Sequence, residues 1–143
     1  MATFNKFNQF TEDLGHAVHN LASGGDTLKI LLTNTAPVAS NSVKADLTEI
    51  SAGNGYSAGG TAVGSTDYQQ VSGVATLSGN DVVFTASGGT IGPFRYAVLY
   101  NDTPTSPADP LIGWWDYGSA ITLNALETFT VDINAGTGIL TVT

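Results

Sequence analysis

The chain has 143 residues, no cysteine, and twelve acidic against four basic side chains, for a net charge of −8. Those cations (Lys6, Lys29, Lys44 and Arg95) are too few and too scattered to track a phosphate backbone, so no nucleic-acid partner is expected, and a disulfide framework is excluded. No run approaches the length of a bilayer span and no basic-then-apolar leader is visible, so a soluble chain with no membrane partner is expected, folded as one domain over 1–143.

The first residues stand apart. Phe4, Phe7, Phe10, Leu14, Val18 and Leu21 recur at intervals of three and four, which is a helical stripe. Thr3 or Thr11 would cap it and Gly24-Gly25 would stop it. The Asn-rich beginning is a poor helix former, so the helix is expected over 11–22. Residues 1–24 then form a helix or arm that covers an open sheet face or reaches a neighbouring subunit.

From Asp26 onward the pattern is β, so 26–143 is expected to be an antiparallel sandwich. Leu28, Ile30 and Leu32 alternate with Lys29 and Thr33, and a short strand is expected over Ala45–Ile50. Val71–Leu77 and Asp81–Ala86 flank Ser78-Gly79-Asn80, a hairpin signal. Glu127, Phe129, Val131 and Ile133 alternate with polar neighbours, and a last strand follows the turn Asn134–Gly138. Two polar excursions, Ser51–Gln70 and Thr103–Pro110, read as long loops.

The run Leu111–Tyr117 is the most informative. As a regular strand it lines one face with Leu111, Gly113, Trp115 and Tyr117, and the other with Ile112, Trp114 and Asp116. Phe94, Tyr96, Val98 and Tyr100 likewise oppose Ala97 and Leu99. Strands apolar on both sides need cover on both sides: a second sheet, a helix of the same chain, or another protein. One exposed Trp of ~200 Å² would forfeit roughly 5 kcal/mol of burial. Trp114 and Trp115 should therefore divide, one in the core and the other under the N-terminal segment or a partner.

Reaction chemistry is hard to find. Gly53-Asn54-Gly55-Tyr56-Ser57-Ala58 fits a loose dinucleotide pattern without the flanking strand and helix that pattern needs. Glu12, His16 and His19 lack a fourth metal ligand nearby, and Asp102, Asp109 and Asp116 lack a calcium-loop spacing. No nucleophile elbow occurs, so no catalytic residue, metal or cofactor is assigned and the protein is not expected to be an enzyme. Arg95, the one cation in the middle of a predicted strand, is expected to pair with an acid such as Asp116 or with a partner's carboxylate.

Several segments carry a resemblance: Phe4-Asn5-Lys6-Phe7 with Val18-His19-Asn20-Leu21, and Asp26-Thr27-Leu28-Lys29 leading to Leu32-Thr33-Asn34-Thr35-Ala36-Pro37. It continues through Asp46–Tyr56, Gly92–Asp102 and Leu111–Gly118. In these segments and their order the chain resembles a family of small tailed-bacteriophage virion proteins. The resemblance implies a capsid decoration, or cement, protein with a jelly-roll-like sandwich. Such a protein would bind the major capsid protein on the virion surface after assembly in the bacterial cytoplasm, as a dimer or trimer. Where the usual pattern has Asp-Gly before Glu127, this chain has Ala125-Leu126. A carbohydrate-binding virion or tail module is the alternative. Candidate interface residues are Phe4, Phe7, Phe10, Tyr56, Tyr68, Arg95, Trp114, Trp115 and Tyr117.

Overall fold

Leu28, Ile30 and Leu32 do project from one face of a strand, β2 (Leu28–Thr33), into the main core, while Leu31 points the other way. The computed structural model describes residues 2–143, of which 44% are strand and 8% helical, an all-β, sandwich-like fold with antiparallel sheets. One layer is a five-stranded sheet. Its order is β1 (Phe4–Lys6), β8 (Leu111–Leu123), β7 (Ile91–Asn101), β2 and β3 (Thr61–Ala62). Opposite it stand a three-stranded sheet, β10 (Leu140–Val142), β5 (Val74–Ser78) and β4 (Asp67–Val71), and a two-stranded one, β6 (Val82–Thr85) with β9 (Thr128–Val131). Ile30, Leu32, Phe94, Leu99 and Ile112 from the first layer meet Leu77, Phe84, Val131 and Leu140 from the second in one buried cluster.

The N-terminal stripe is not one helix. Phe4–Lys6 pairs with Trp115–Gly113 as a strand, and the helix α1 is Asn8–Gly15, earlier and shorter than the stripe suggested. Strand alternation puts Phe4 on the inner face and Phe7 on the outer one, so their three-residue spacing only imitates helical period. The helix stops because Ala17 takes a left-handed φ of 59°, with its N–H on the Leu14 carbonyl and that of Val18 on Asp13. That bonding is a Schellman cap, built here without the glycine that usually announces one.

Other departures have equally local causes. Ser78-Gly79-Asn80 joins two sheets rather than closing a hairpin: β5 pairs with β4 and β10, and β6 with β9. The Asn80 N–H bonds Gly64 and the Asp81 carboxylate accepts from the Ile133 N–H, so neighbouring loops carry the chain across. Ala45–Ile50 is not a strand. It begins within a 3-10 turn, Lys44–Asp46, and its backbone pairs with the sheet as an isolated bridge from Glu49 to Thr33. The excursion Ser51–Gln70 contains β3 and most of β4.

Bulges reassign the faces of the aromatic strands. Leu99 pairs with Gly113 but Tyr100 with Leu111, leaving Ile112 as the extra residue. Leu111 therefore joins Trp114, Val98 and Tyr100 outside, while Ile112 turns inward with Trp115. A second irregularity sets Arg95 against the four residues Tyr117–Ala120, between the pairs Phe94–Ile121 and Tyr96–Asp116. It moves Phe94 to the inner face with Ala97 and Leu99.

The outer face of the large sheet is closed by the chain itself. Phe7, Leu31, Val98, Tyr100 and Leu111 form a second buried cluster with Leu47 and Trp114 packed on it. Each fully buried side chain there contributes roughly 1.5–3 kcal/mol. The cover is neither a second sheet nor an α-helix but Phe7 together with the largely irregular segment 34–60. Tyr100 donates its phenol to the Gly59 carbonyl at 2.6 Å, the Lys44 ammonium lies 5.5 Å from the Tyr100 ring centre, and Ile50 N–H bonds Leu32.

Candidate binding surface

Burial sorts the nine candidate residues. Phe7, Phe10 and Tyr56 are core residues of this chain, so they are corrected from interface to interior. Phe10 enters the main core beside His19, at 5.1 Å between ring centres. Tyr56 accepts from the Leu32 N–H at 3.0 Å and donates to the Glu49 carboxylate at 2.7 Å, which also accepts from the Gly59 N–H. Burial and that carboxylate push the Tyr56 phenol far above its ordinary pKa. Phe4 and Tyr68 are half-buried, packed against the main core.

The tryptophans divide as the strand period requires, each under a phenylalanine of the N-terminal segment. Phe4 meets Trp115 edge-on at 4.9 Å and Phe7 meets Trp114 at 4.6 Å. Both indoles stay half-buried, so neither is a fully enclosed core residue. Trp114 belongs to the outer cluster, whereas Trp115 borders open space.

That space is a pocket of about 280 Å³ between β8 and β9. Trp115, Tyr117 and Phe129 wall it, Ala97 and Val131 form its apolar floor, and Arg95, Thr130 and Asp132 supply polar groups. The four-residue bulge at Tyr117–Ala120 makes the wall, since it carries Tyr117 out to meet the Phe129 ring at 5.6 Å while leaving it 55% exposed. Arg95 is committed, as the sequence suggested. Its Nε and Nη2 reach the two oxygens of Asp116 at 2.8 and 3.0 Å, over the Tyr96 ring. This two-point bond, helped by the Gly118 N–H, holds the Asp116 carboxyl below the usual range and raises the guanidinium. Asp132 has no ion pair among the described residues.

The other sequence candidates do not converge. His16 is exposed 3.7 Å from Glu12, while His19 is buried against Asn101, its Nδ1 accepting from the amide at 3.1 Å. Asp102 pairs with Lys29 and Asp116 with Arg95. No helix among the described residues is long and apolar enough to cross a membrane.

The pocket therefore offers apolar area, one committed guanidinium and one carboxylate with no ion pair among the described residues. Reading the sequence singled out Trp115, Tyr117 and Arg95 but missed Phe129, Thr130 and Asp132. Their alternation looked like that of any half-buried strand, and no local signal announces which strand of a small sheet lies at its margin. No protein-family model matches the chain, and no curated protein or solved structure is significantly similar to it.

Proposed function

We propose that this protein is a tailed-phage capsid decoration protein, which binds the outside of the assembled shell and ties neighbouring major capsid protein subunits together. The resemblance to small tailed-phage virion proteins supports this reading. The observation that supports it is the aromatic pocket at the margin of an otherwise self-covered sandwich. A rigid body of this kind needs only modest contacts, because a copy bridging two subunits gains from effective concentration, and anything that binds only the assembled shell stabilises it. With a charge of −8 on each copy, the dimer or trimer contacts form on the shell rather than free in solution.

A second reading draws on the pocket walls. Trp115, Tyr117 and Phe129 are the kind of aromatic platform on which a sugar ring stacks, and they favour a glycan-binding virion module. The discriminating experiment mixes purified protein with shells lacking it, then pellets and heats them. Decoration predicts co-sedimentation and a higher shell melting temperature, with no hydrolysis of glycans. Protein left in the supernatant over shells that melt unchanged overturns decoration and moves the glycan reading ahead.

A further inference from the structure

Four consecutive residues of β9 and its exit, Phe129, Thr130, Val131 and Asp132, line the pocket. Side chains on one face of a strand alternate, so a pocket that touches every residue is touching the edge of the strand. Among the described residues β9 has a strand partner on one side only, β6. The Ala86 N–H bonds the Glu127 carbonyl, and hydrogen-bonded pairs recur at every second position of an antiparallel ladder. Phe129 and Val131 therefore bond β6, and the N–H and C=O groups of Thr128 and Thr130 point away from it, with Thr130 lining the pocket. At this margin Trp115 stays only half-buried and Tyr117 exposed, beside the free edge of β9.

We propose that this edge receives an extended segment of a partner, added as a strand beside β9, with one large apolar side chain seated in the pocket and a lysine or arginine beside Asp132. Each part of the site selects for one property of that segment. Unpaired main-chain groups call for another strand, as in other cases of strand addition. A volume of about 280 Å³ is just below the range of roughly 300–1,000 Å³ typical of small-molecule sites and suits a single side chain.

Charge fixes the partner's sign. Lys29, Lys44 and Arg95 are each paired with a carboxylate of this chain and Lys6 bonds the Thr11 hydroxyl, so the charge offered to a partner is mainly negative, and Asp132 has no ion pair among the described residues. A second copy, itself at −8, is repelled, and a basic segment is drawn in. The inference goes beyond the decoration reading, because any partner presenting such a segment would use this edge.

The probe is a short capped peptide with a central phenylalanine, flanking valines and threonines, and lysines at both ends, titrated against the full chain by amide NMR. The expected result is shifted and protected amides at Thr128, Thr130 and Asp132 together with quenched Trp115 emission. N-methylation of alternate peptide nitrogens, which removes strand donors and leaves the side chains, should weaken binding by about tenfold or more. Thr130→Pro should do the same, since proline is tolerated where a strand's N–H faces outward. Should that variant unfold, Asp132→Lys remains decisive: it should weaken the lysine peptide and favour its glutamate counterpart. Equal binding of the N-methylated and parent peptides, or no change at the β9 amides, overturns the proposal. So does a response of Trp115 to glucose or N-acetylglucosamine but not to the peptide. Shells that still bind a protein indifferent to the peptide would sink the docking edge and leave decoration standing.

Discussion

Phe7 lies against Trp114 with ring centres 4.6 Å apart and planes inclined at 43°, and the pair seals the end of the sheet face that carries no second sheet. The N-terminal segment is thus the lid of a second core. Because Phe7 is fully enclosed, Phe7→Ala should cost about 3–5 kcal/mol, and the half-buried Trp114 should cost less. The double variant should cost less than the sum of the two, by roughly 0.5–1.5 kcal/mol. Denaturant unfolding of the four proteins measures this, and strict additivity would refute the contact's role.

Gly113 is a glycine because of what stands above it. A β-carbon there would collide with the Phe4 ring and the Asn5 carbonyl. Gly113→Ala should therefore destabilise by about 1–3 kcal/mol and loosen β1 from β8. Hydrogen exchange should show the change at Asn5 and Lys6 first. An alanine variant as stable as the parent would mean that β1 docks differently.

Tyr56 couples three segments through one hydroxyl. Tyr56→Phe leaves the buried Leu32 N–H without its acceptor and takes a partner from Glu49, so a loss of about 1–3 kcal/mol is expected. The same substitution at the exposed Tyr117 should change stability by less than about 0.5 kcal/mol. Thermal melts of the two variants side by side make the comparison.

Acid should act first through His19. Burial pushes its pKa below the ordinary value, while Asp13 and Asp26 oppose the shift. In the window below about pH 6.5 the unfolded chain binds the proton more readily than the folded one, so stability holds above that pH and falls as acid is added. His19→Asn, which keeps an acceptor for Asn101, should flatten the melting-temperature profile between about pH 7 and pH 5. Asp116 and Asp46, whose carboxyls are held low by Arg95 and by the Ser42 and Val43 amides respectively, lose their contributions only below about pH 4. An unaltered profile in the variant would assign the acid sensitivity elsewhere.

The β4–β5 hairpin turns on Ser72 and Gly73, both at positive φ (52° and 85°), as a type I′ turn requires. Asparagine tolerates the first position better than serine does. Ser72→Asn should raise the melting temperature slightly and leave peptide and shell binding untouched.

Alternation along β2 and the Arg95–Asp116 pair were legible in the sequence because each is decided by residues close in register. The reversal of Leu111 and Ile112 was not, since a bulge adds one residue without any required composition. The helix boundary was hidden for a related reason: Ala17 occupies a position where glycine is the usual signal. The pocket was half visible. Trp115 and Tyr117 announced aromatic surface, but their partner Phe129 arrives from another layer, and only the completed packing shows that β9 has a free side.

The irregular stretch 34–60 looks on paper like the obvious place to splice in a tag or to expect a protease to cut. It is the roof over Leu31, Val98 and Tyr100, so a nick or insertion there would open a core even though no ladder of strands is touched. The tip at Ser72-Gly73 sits at the far end of a hairpin whose valines, Val71 and Val74, are already exposed, and grafted sequences should be carried there without loss of fold.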